Sequence, residues 1–220
     1  MQPKRFVVVI LLSFFISIPL THFFENLSRR NEAIASEQKA QVLLLIRQGV
    51  SADTELMLKA EVGVMTSMLE EAGFTVIVTS ISGMPIKGQT LKLKPHLKLA
   101  DVKINNYVGI IMPCMAKYQA WSQEEVSLVK QAVAQGKPIA AQRNSIIILA
   151  EAGALVGKKC TFANGLRYQD RFAGAIYSGQ GVIKDGNIIT SSDCPYYARY
   201  YGGDDGTSEL TKLFIETIKD

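Results

Sequence analysis

Apolar and polar positions change their rhythm twice along this chain. Residues 6–24 hold no formally charged side chain, and 6–20 are the most apolar part of that run. Residues 26–39 are polar and read as a linker. From residue 41 onward, short apolar runs alternate with stretches of helical period. Residues 41–47 (Gln-Val-Leu-Leu-Leu-Ile-Arg) form a continuous apolar run, as expected for a strand buried on both faces of a parallel sheet. Residues 54–72 carry helical spacing, with Gly73 placed as the C-terminal stop. Residues 74–81 alternate and are rich in β-branched side chains, which predicts a second strand.

The segment 83–99 is irregular and basic, and reads as a surface excursion. Residues 107–113 predict the next buried strand. Ser122-Gln-Glu-Glu125 has the spacing of a capping box, opening a helix that runs through Gln135. Residues 138–142 and 146–152 predict a strand and a helix joined by the sharp turn Arg143-Asn144-Ser145. Residues 182–190 predict a hairpin with its turn near Asp185-Gly186, and 207–219 a closing amphipathic helix. Strands alternating with helices imply an α/β fold. The expected form is a three-layer α/β/α sandwich of flavodoxin-like type with a mainly parallel sheet, preceded by an N-terminal hydrophobic helix.

Composition changes the picture little. The chain has 220 residues, 48% of them hydrophobic and 20% charged, enough for one domain with a sizeable core plus an appendage. Its net charge of +4 comes partly from Lys4, Arg5, Arg29 and Arg30, set against Glu25 and Glu32. The remaining near balance, and the lack of a basic stripe interleaved with aromatics, give no case for nucleic acid. Lys4 and Arg5 ahead of residues 6–24 fit a secretory signal or a membrane anchor over residues 1–25. Ala33-Ile34-Ala35, the one small-x-small candidate for cleavage, lies far beyond the apolar core, which favours an uncleaved anchor with the domain outside the cytoplasm. If the segment is cleaved, the domain is secreted or periplasmic. Cys114, Cys160 and Cys194 leave room for one disulfide without choosing its pair. His22 and His96 sit in no metal-spacing cluster, and no cofactor is expected.

A strand-to-helix elbow in an α/β fold is where a nucleophile is usually presented. Residues 136–153, Gly-Lys-Pro-Ile-Ala-Ala-Gln-Arg-Asn-Ser-Ile-Ile-Ile-Leu-Ala-Glu-Ala-Gly, form such an elbow. Over roughly residues 40–218 the chain resembles the ThiJ/PfpI family. That group includes the Parkinsonism-associated deglycase and intracellular protease I, and has the class I glutamine amidotransferase-like fold. Family members follow a similar Gly-Lys-Pro-(Val/Ile)-Ala-Ala run with an apolar residue, Cys, His and Gly. Aligned without gaps, those four positions are Gln142, Arg143, Asn144 and Ser145 here.

The resemblance places a glutamate twelve residues before the glycine that ends the first helix, which is Glu61 before Gly73. Glu61 is therefore the expected acid of the site, with Glu55 as the runner-up. Pro113-Cys114-Met115 resembles the family's Pro-Gly-Gly, whose amides help form an oxyanion hole. Arginine cannot replace a thiol nucleophile, because its guanidinium stays charged and has no usable lone pair. Asn144 cannot act as a base, and Ser145 has no nearby histidine to activate it.

Candidate ligand-binding residues are thus Glu61, Cys114, Met115, Arg143, Asn144 and Ser145. Arg143 and Glu61 are expected to form an ion pair that fills the old pocket or recognises an anionic ligand. Residues 188–195 resemble the family's late Ile-Thr-Ser-Arg-Gly-Pro segment. The Tyr196, Tyr197, Tyr200 and Tyr201 that follow read as loop tyrosines packing locally, with a ligand- or partner-facing role as the alternative. Cys160 is expected to point into the core from a short strand. The leading expectation is a non-catalytic domain that binds a small anionic ligand or a partner, anchored to a membrane through residues 6–24. The alternatives are a hydrolase or glyoxalase-like enzyme using Cys114 with Glu61, and a homodimeric interaction domain.

Overall fold

Alternation within the first strand sets the order of the layers. The computed structural model describes residues 39–47, 49–117, 121–162 and 170–220. In it, β1 (Gln41–Leu45) lies inside the main sheet. Val42 and Leu44 pack into one apolar cluster and Leu43 and Leu45 into another, and all four are fully buried. A strand apolar on both faces needs a covering layer on each side.

Next comes α1, made of Thr54–Met57, a π-helical turn Leu58–Val62 and Gly63–Glu71. β2 (Thr75–Ser80), the ribbon of β3 (Ile86–Lys87) and β4 (Lys92–Leu93), and β5 (Leu97–Lys98) follow. β6 (Gly109–Met112), α2 (Gln123–Ala134), β7 (Ile139–Gln142) and α3 (Ile146–Glu151) form the middle of the chain. The chain closes with β8 (Lys159–Cys160), β9 (Ile176–Tyr177), the hairpin of β10 (Val182–Asp185) and β11 (Ile188–Ser191), α4 (Pro195–Tyr201) and α5 (Thr207–Lys219).

The main sheet has the order β10-β11-β7-β6-β1-β2-β5 and is parallel except for β10, which pairs antiparallel with β11. Met57, Met65 and Leu69 of α1 and Leu210 and Phe214 of α5 cover the Val42 face. Val126 and Val129 of α2 and Ile146 and Leu149 of α3 cover the other. Each such buried side chain contributes about 1.5–3 kcal/mol relative to exposure. Gly109 makes the approach of α5 possible, since a Cβ there would lie 2.9 Å from the Phe214 ring and 2.8 Å from the Pro138 carbonyl oxygen.

The sandwich and its mainly parallel sheet follow the sequence pattern, and the capping box forms as spaced. Ser122 Oγ accepts from the Glu125 amide at 3.1 Å and Glu125 Oε2 from the Ser122 amide at 2.8 Å. One expectation needs correction. Residues 83–99 hold three short strands, one of which extends the sheet at its β2 edge. The first helix forms over residues 54–71 as its spacing predicts, with a π turn at Leu58–Val62. The expected N-terminal hydrophobic helix and most of the expected linker lie outside the described residues. Among those described, no helix is long and apolar enough to cross a membrane.

Strand order reverses at β1 and β6, where crevices beyond the carboxyl ends of the strands are expected to take ligands. Arg47 follows β1 there, Cys114 follows β6, Arg143 follows β7 and Cys194 follows β11.

Candidate functional site

The backbone is most distorted at these strand ends. Among the described residues, the non-glycine positions with positive φ are Met115 (54°), Ala116 (47°) and Arg143 (44°). Left-handed backbone costs about 1–2 kcal/mol for a residue with a Cβ, and such outliers gather where surrounding structure enforces them for a purpose. Here side-chain hydrogen bonds do the enforcing. Ser145 Oγ donates to the Pro113 carbonyl at 2.6 Å, and Asn144 Nδ2 donates to the Lys117 carbonyl at 3.0 Å. The elbow after β7 is thereby tied to the loop after β6. Gln142, buried beneath it, donates to the Asp205 carbonyl and to Thr207 Oγ1 at the start of α5.

Glu61 braces the same loop from the other side. It lies in the π turn of α1 and is 0% exposed. Single π turns are rare and shift the helix register where they occur. Glu61 Oε1 accepts from the Cys114 amide at 2.7 Å and Oε2 from the Met115 amide at 2.8 Å. These are the amides that the resemblance assigns to an oxyanion hole, and the carboxyl group occupies them. Burial first, and the Cys114 thiolate second, push Glu61 well above the usual carboxylate range, against the pull of the two amides and of Arg47.

The expected ion pair between Glu61 and Arg143 is not formed. Arg143 Nη1 donates to the Ser192 carbonyl at 2.6 Å, and its guanidinium lies 3.8 Å from the centre of the Tyr197 ring. The cation near Glu61 is Arg47, 2% exposed, whose Nη2 donates to the carbonyls of Lys117 at 2.8 Å and Cys114 at 3.4 Å. Arg47 was not among the residues expected at the site. Its signal was a charged residue closing an otherwise wholly apolar strand run. Glu55 is engaged elsewhere, accepting from the Thr90 hydroxyl and from the amides of Thr90 and Leu91, which fastens the β3–β4 ribbon to α1.

Cys114 is 0% exposed and Cys194 1% exposed, and both are free thiols. Burial opposes a thiolate at Cys114. The Cys194 hydrogen bond, the Arg47 charge and the amides of Asn144 and Ala116 outweigh it and lower the Cys114 pKa to about 6. The hydrogen bond to Cys114, then burial, push the Cys194 thiol up, so Cys194 keeps its proton. Cys160 lies in the core cluster on the opposite face of the sheet, buried from a short strand as expected.

A cavity of about 160 Å³ opens over this pair, lined by Cys114, Ala116, Arg143, Asn144 and Cys194, with Tyr196, Tyr197 and Tyr201 across from them. Of the residues expected at the site, Cys114, Arg143 and Asn144 line the cavity. Glu61, Met115 and Ser145 are buried behind it and shape its backbone. The tyrosines stand on a helix, α4, not on a loop, and pair along it, Tyr196 with Tyr200 and Tyr197 with Tyr201 at 4.6 and 4.7 Å between ring centres. A second cavity of about 300 Å³ lies at the ends of β1 and β2, between Arg47, Lys117 and the hydroxyl-bearing Ser51, Ser80 and Ser82. Burial, then Arg47, lower Lys117 to a pKa of about 8. Among the described residues, no three His, Cys, Asp or Glu side chains converge as a metal site requires.

The model of the DJ-1/PfpI family matches residues 40–201 of this sequence. The chain belongs to the DJ-1/PfpI family. It is 31% identical over 182 residues to an uncharacterised protein of Methanocaldococcus jannaschii, covering 80% of this chain and 85% of that one. It is 33% identical over 135 residues to an uncharacterised protein of Archaeoglobus fulgidus, covering 59% and 80%. Among solved structures, the fold is similar to a ThiJ/PfpI domain protein from Brachyspira murdochii (TM-score 0.62, 15% identity, 83% of this chain and 98% of that one). It is also similar to Drosophila melanogaster DJ-1beta (TM-score 0.57, 20% identity, 83% and 92%). These likenesses carry the DJ-1/PfpI fold. In this member of the family, the left-handed elbow residue is Arg143.

Proposed function

We propose that this DJ-1/PfpI domain binds a small anionic ligand in the cavity between the elbow and α4, and does not carry out thiol chemistry from the elbow. The observation behind the reading is the placement of Arg143, held with left-handed backbone over the cavity and stacked on Tyr197. One guanidinium N–H is used by the Ser192 carbonyl, and a guanidinium has five donors in a fork suited to a carboxylate or phosphate. The negative charge at Cys114 is offset by Arg47 beside it, which leaves the Arg143 charge for the ligand. The cavity is smaller than the roughly 300–1,000 Å³ that suits drug-sized molecules, so the ligand has the size of a simple carboxylate or inorganic phosphate.

Titration calorimetry with inorganic phosphate and with short mono- and dicarboxylates tests this. Arg143→Ala should weaken binding about tenfold or more, the loss expected for one hydrogen bond to a charged group. Equal affinity in the variant, or no heat from any of these anions, overturns the reading. We further propose that residues 6–24 tether the domain to a membrane with the site outside the cytoplasm. Recovery of the full chain in the soluble fraction after alkaline carbonate extraction overturns the tether.

A further inference from the structure

Cys114 and Cys194 come from distant parts of the sequence and meet at one cavity. Cys114 follows β6 and Cys194 follows β11, and β7 with its elbow lies between them in the sheet. Both line the cavity with Arg143 and Asn144, and both are free. Two free thiols lining one cavity of about 160 Å³ have the placement needed to exchange with a disulfide small enough to enter it.

We propose that Cys114 and Cys194 form a dithiol–disulfide exchange site for small-molecule disulfides, with Cys114 as the attacking sulfur and Cys194 as the resolving one. In the first step the Cys114 thiolate attacks one sulfur of a disulfide RSSR. A mixed disulfide Cys114–S–S–R forms as the S–S bond of RSSR breaks, and RS⁻ leaves and takes a proton from water. In the second step the Cys194 sulfur gives up its proton and attacks the Cys114 sulfur. The second RS⁻ is expelled and takes up the proton that Cys194 gave up, and a Cys114–Cys194 disulfide remains. The protein dithiol is oxidised by two electrons, and RSSR is reduced to two RSH.

The roles follow from the different surroundings of the two sulfurs. Cys114 has the Arg47 guanidinium, two amides and the Cys194 thiol stabilising its anion, whereas Cys194 is held protonated chiefly by its bond to the Cys114 sulfur. Once Cys114 is tied up in a mixed disulfide, it carries no charge. The main cause that kept the proton on Cys194 is then gone. The resolving thiol is thus released by the first step. Glu61, Arg47 and Arg143 are other ionisable groups around the pair, and none of them is consumed. The narrow cavity walled by Tyr196, Tyr197 and Tyr201 selects for compact disulfides.

The reduced full chain, incubated at neutral pH with bis(2-hydroxyethyl) disulfide and quenched with iodoacetamide, tests the proposal by peptide mass spectrometry. The wild-type protein should end with a Cys114–Cys194 crosslink, no retained adduct, and Cys160 alkylated only after unfolding. The Cys194→Ser variant should accumulate the hydroxyethyl adduct on Cys114, and Cys114→Ser should show neither crosslink nor adduct on Cys194. Wild-type protein whose three thiols all remain alkylatable after denaturation overturns the proposal. So does adduct formation on Cys194 in the Cys114→Ser variant at the wild-type rate. The wild-type arm needs no substitution, so a variant that misfolds cannot obscure the result. Anion binding at Arg143 is not read by this assay, and its failure leaves the crosslink result standing.

Discussion

Glu61 Oε1 accepts a hydrogen bond from the Cys114 amide at 2.7 Å, and Oε2 takes the neighbouring Met115 amide at 2.8 Å, so the acid of this site is spent on the main chain. A carboxyl group, protonated or not, offers two oxygens that can accept. A carboxamide offers one. Glu61→Gln should therefore leave one of the two buried amides facing an N–H donor, at a cost of about 1–3 kcal/mol in unfolding free energy. Urea denaturation measures it, and an unchanged midpoint would mean that the loop after β6 does not depend on this brace.

Arg143 separates a backbone effect from a side-chain effect. Its φ of 44° is unfavourable for any residue with a Cβ. Arg143→Gly and Arg143→Ala both remove the guanidinium, and both should lose anion binding. They should differ in stability, with the glycine variant more stable than the alanine variant by about 1 kcal/mol. Equal stabilities would show that the turn relaxes when its side chain is cut back.

The Cys114 thiol should titrate near pH 6, well below the roughly 8.5 of a free cysteine. Its alkylation rate, and its thiolate ultraviolet absorbance, should rise through that region and level off by neutral pH. Arg47→Met removes the adjacent cation and should move the midpoint upward. Because the folded value lies below the unfolded one, the thiolate stabilises the fold fully above about pH 9. That contribution disappears as the pH falls through about 6. Cys114→Ser should remove this part of the pH dependence, measured as urea midpoints across the same range. A wild-type midpoint above 8 would contradict the arrangement of Arg47, Cys194 and the two amides around the sulfur.

Much of the scaffold was legible in sequence because it depends on periodicity. The apolar run after Gln41 in β1, the spaced capping box at Ser122 and Glu125, the Asp185-Gly186 hairpin and the elbow over 136–153 each leave a local signature. The wiring of the site was not legible, because it depends on which side chain reaches which backbone group across the sheet. Arg47 and Arg143 are both cations at strand ends, and nothing in their neighbours says that the first serves Glu61 and Cys114 while the second stacks on Tyr197. The π turn that carries Glu61 was not legible, since the four residues Thr54–Met57 before it are too few to show a phase against which its register shift would stand out. Cys194 was visible as a departure from the resembled Ile-Thr-Ser-Arg-Gly-Pro segment. Its meaning came only from the fold, which sets it against a cysteine eighty positions earlier.

A crosslink between Cys114 and Cys194 closes a long stretch of chain, and it should change stability in a way that the same two thiols, left unjoined, do not. Closing a loop of that length restricts the unfolded ensemble, typically worth about 2–4 kcal/mol. For a domain of this size, that corresponds to a rise in Tm of about 5–15 °C for the oxidised over the reduced form. The gain should be absent in Cys114→Ser and Cys194→Ser and retained in Cys160→Ser, whose thiol lies on the far side of the sheet. Differential scanning calorimetry of the wild-type protein before and after oxidation, with dithiothreitol reversal as the control, measures it. An oxidised form that melts at or below the reduced one would mean that forming the bond distorts the strand ends at β6 and β11 by as much as it restrains the unfolded chain.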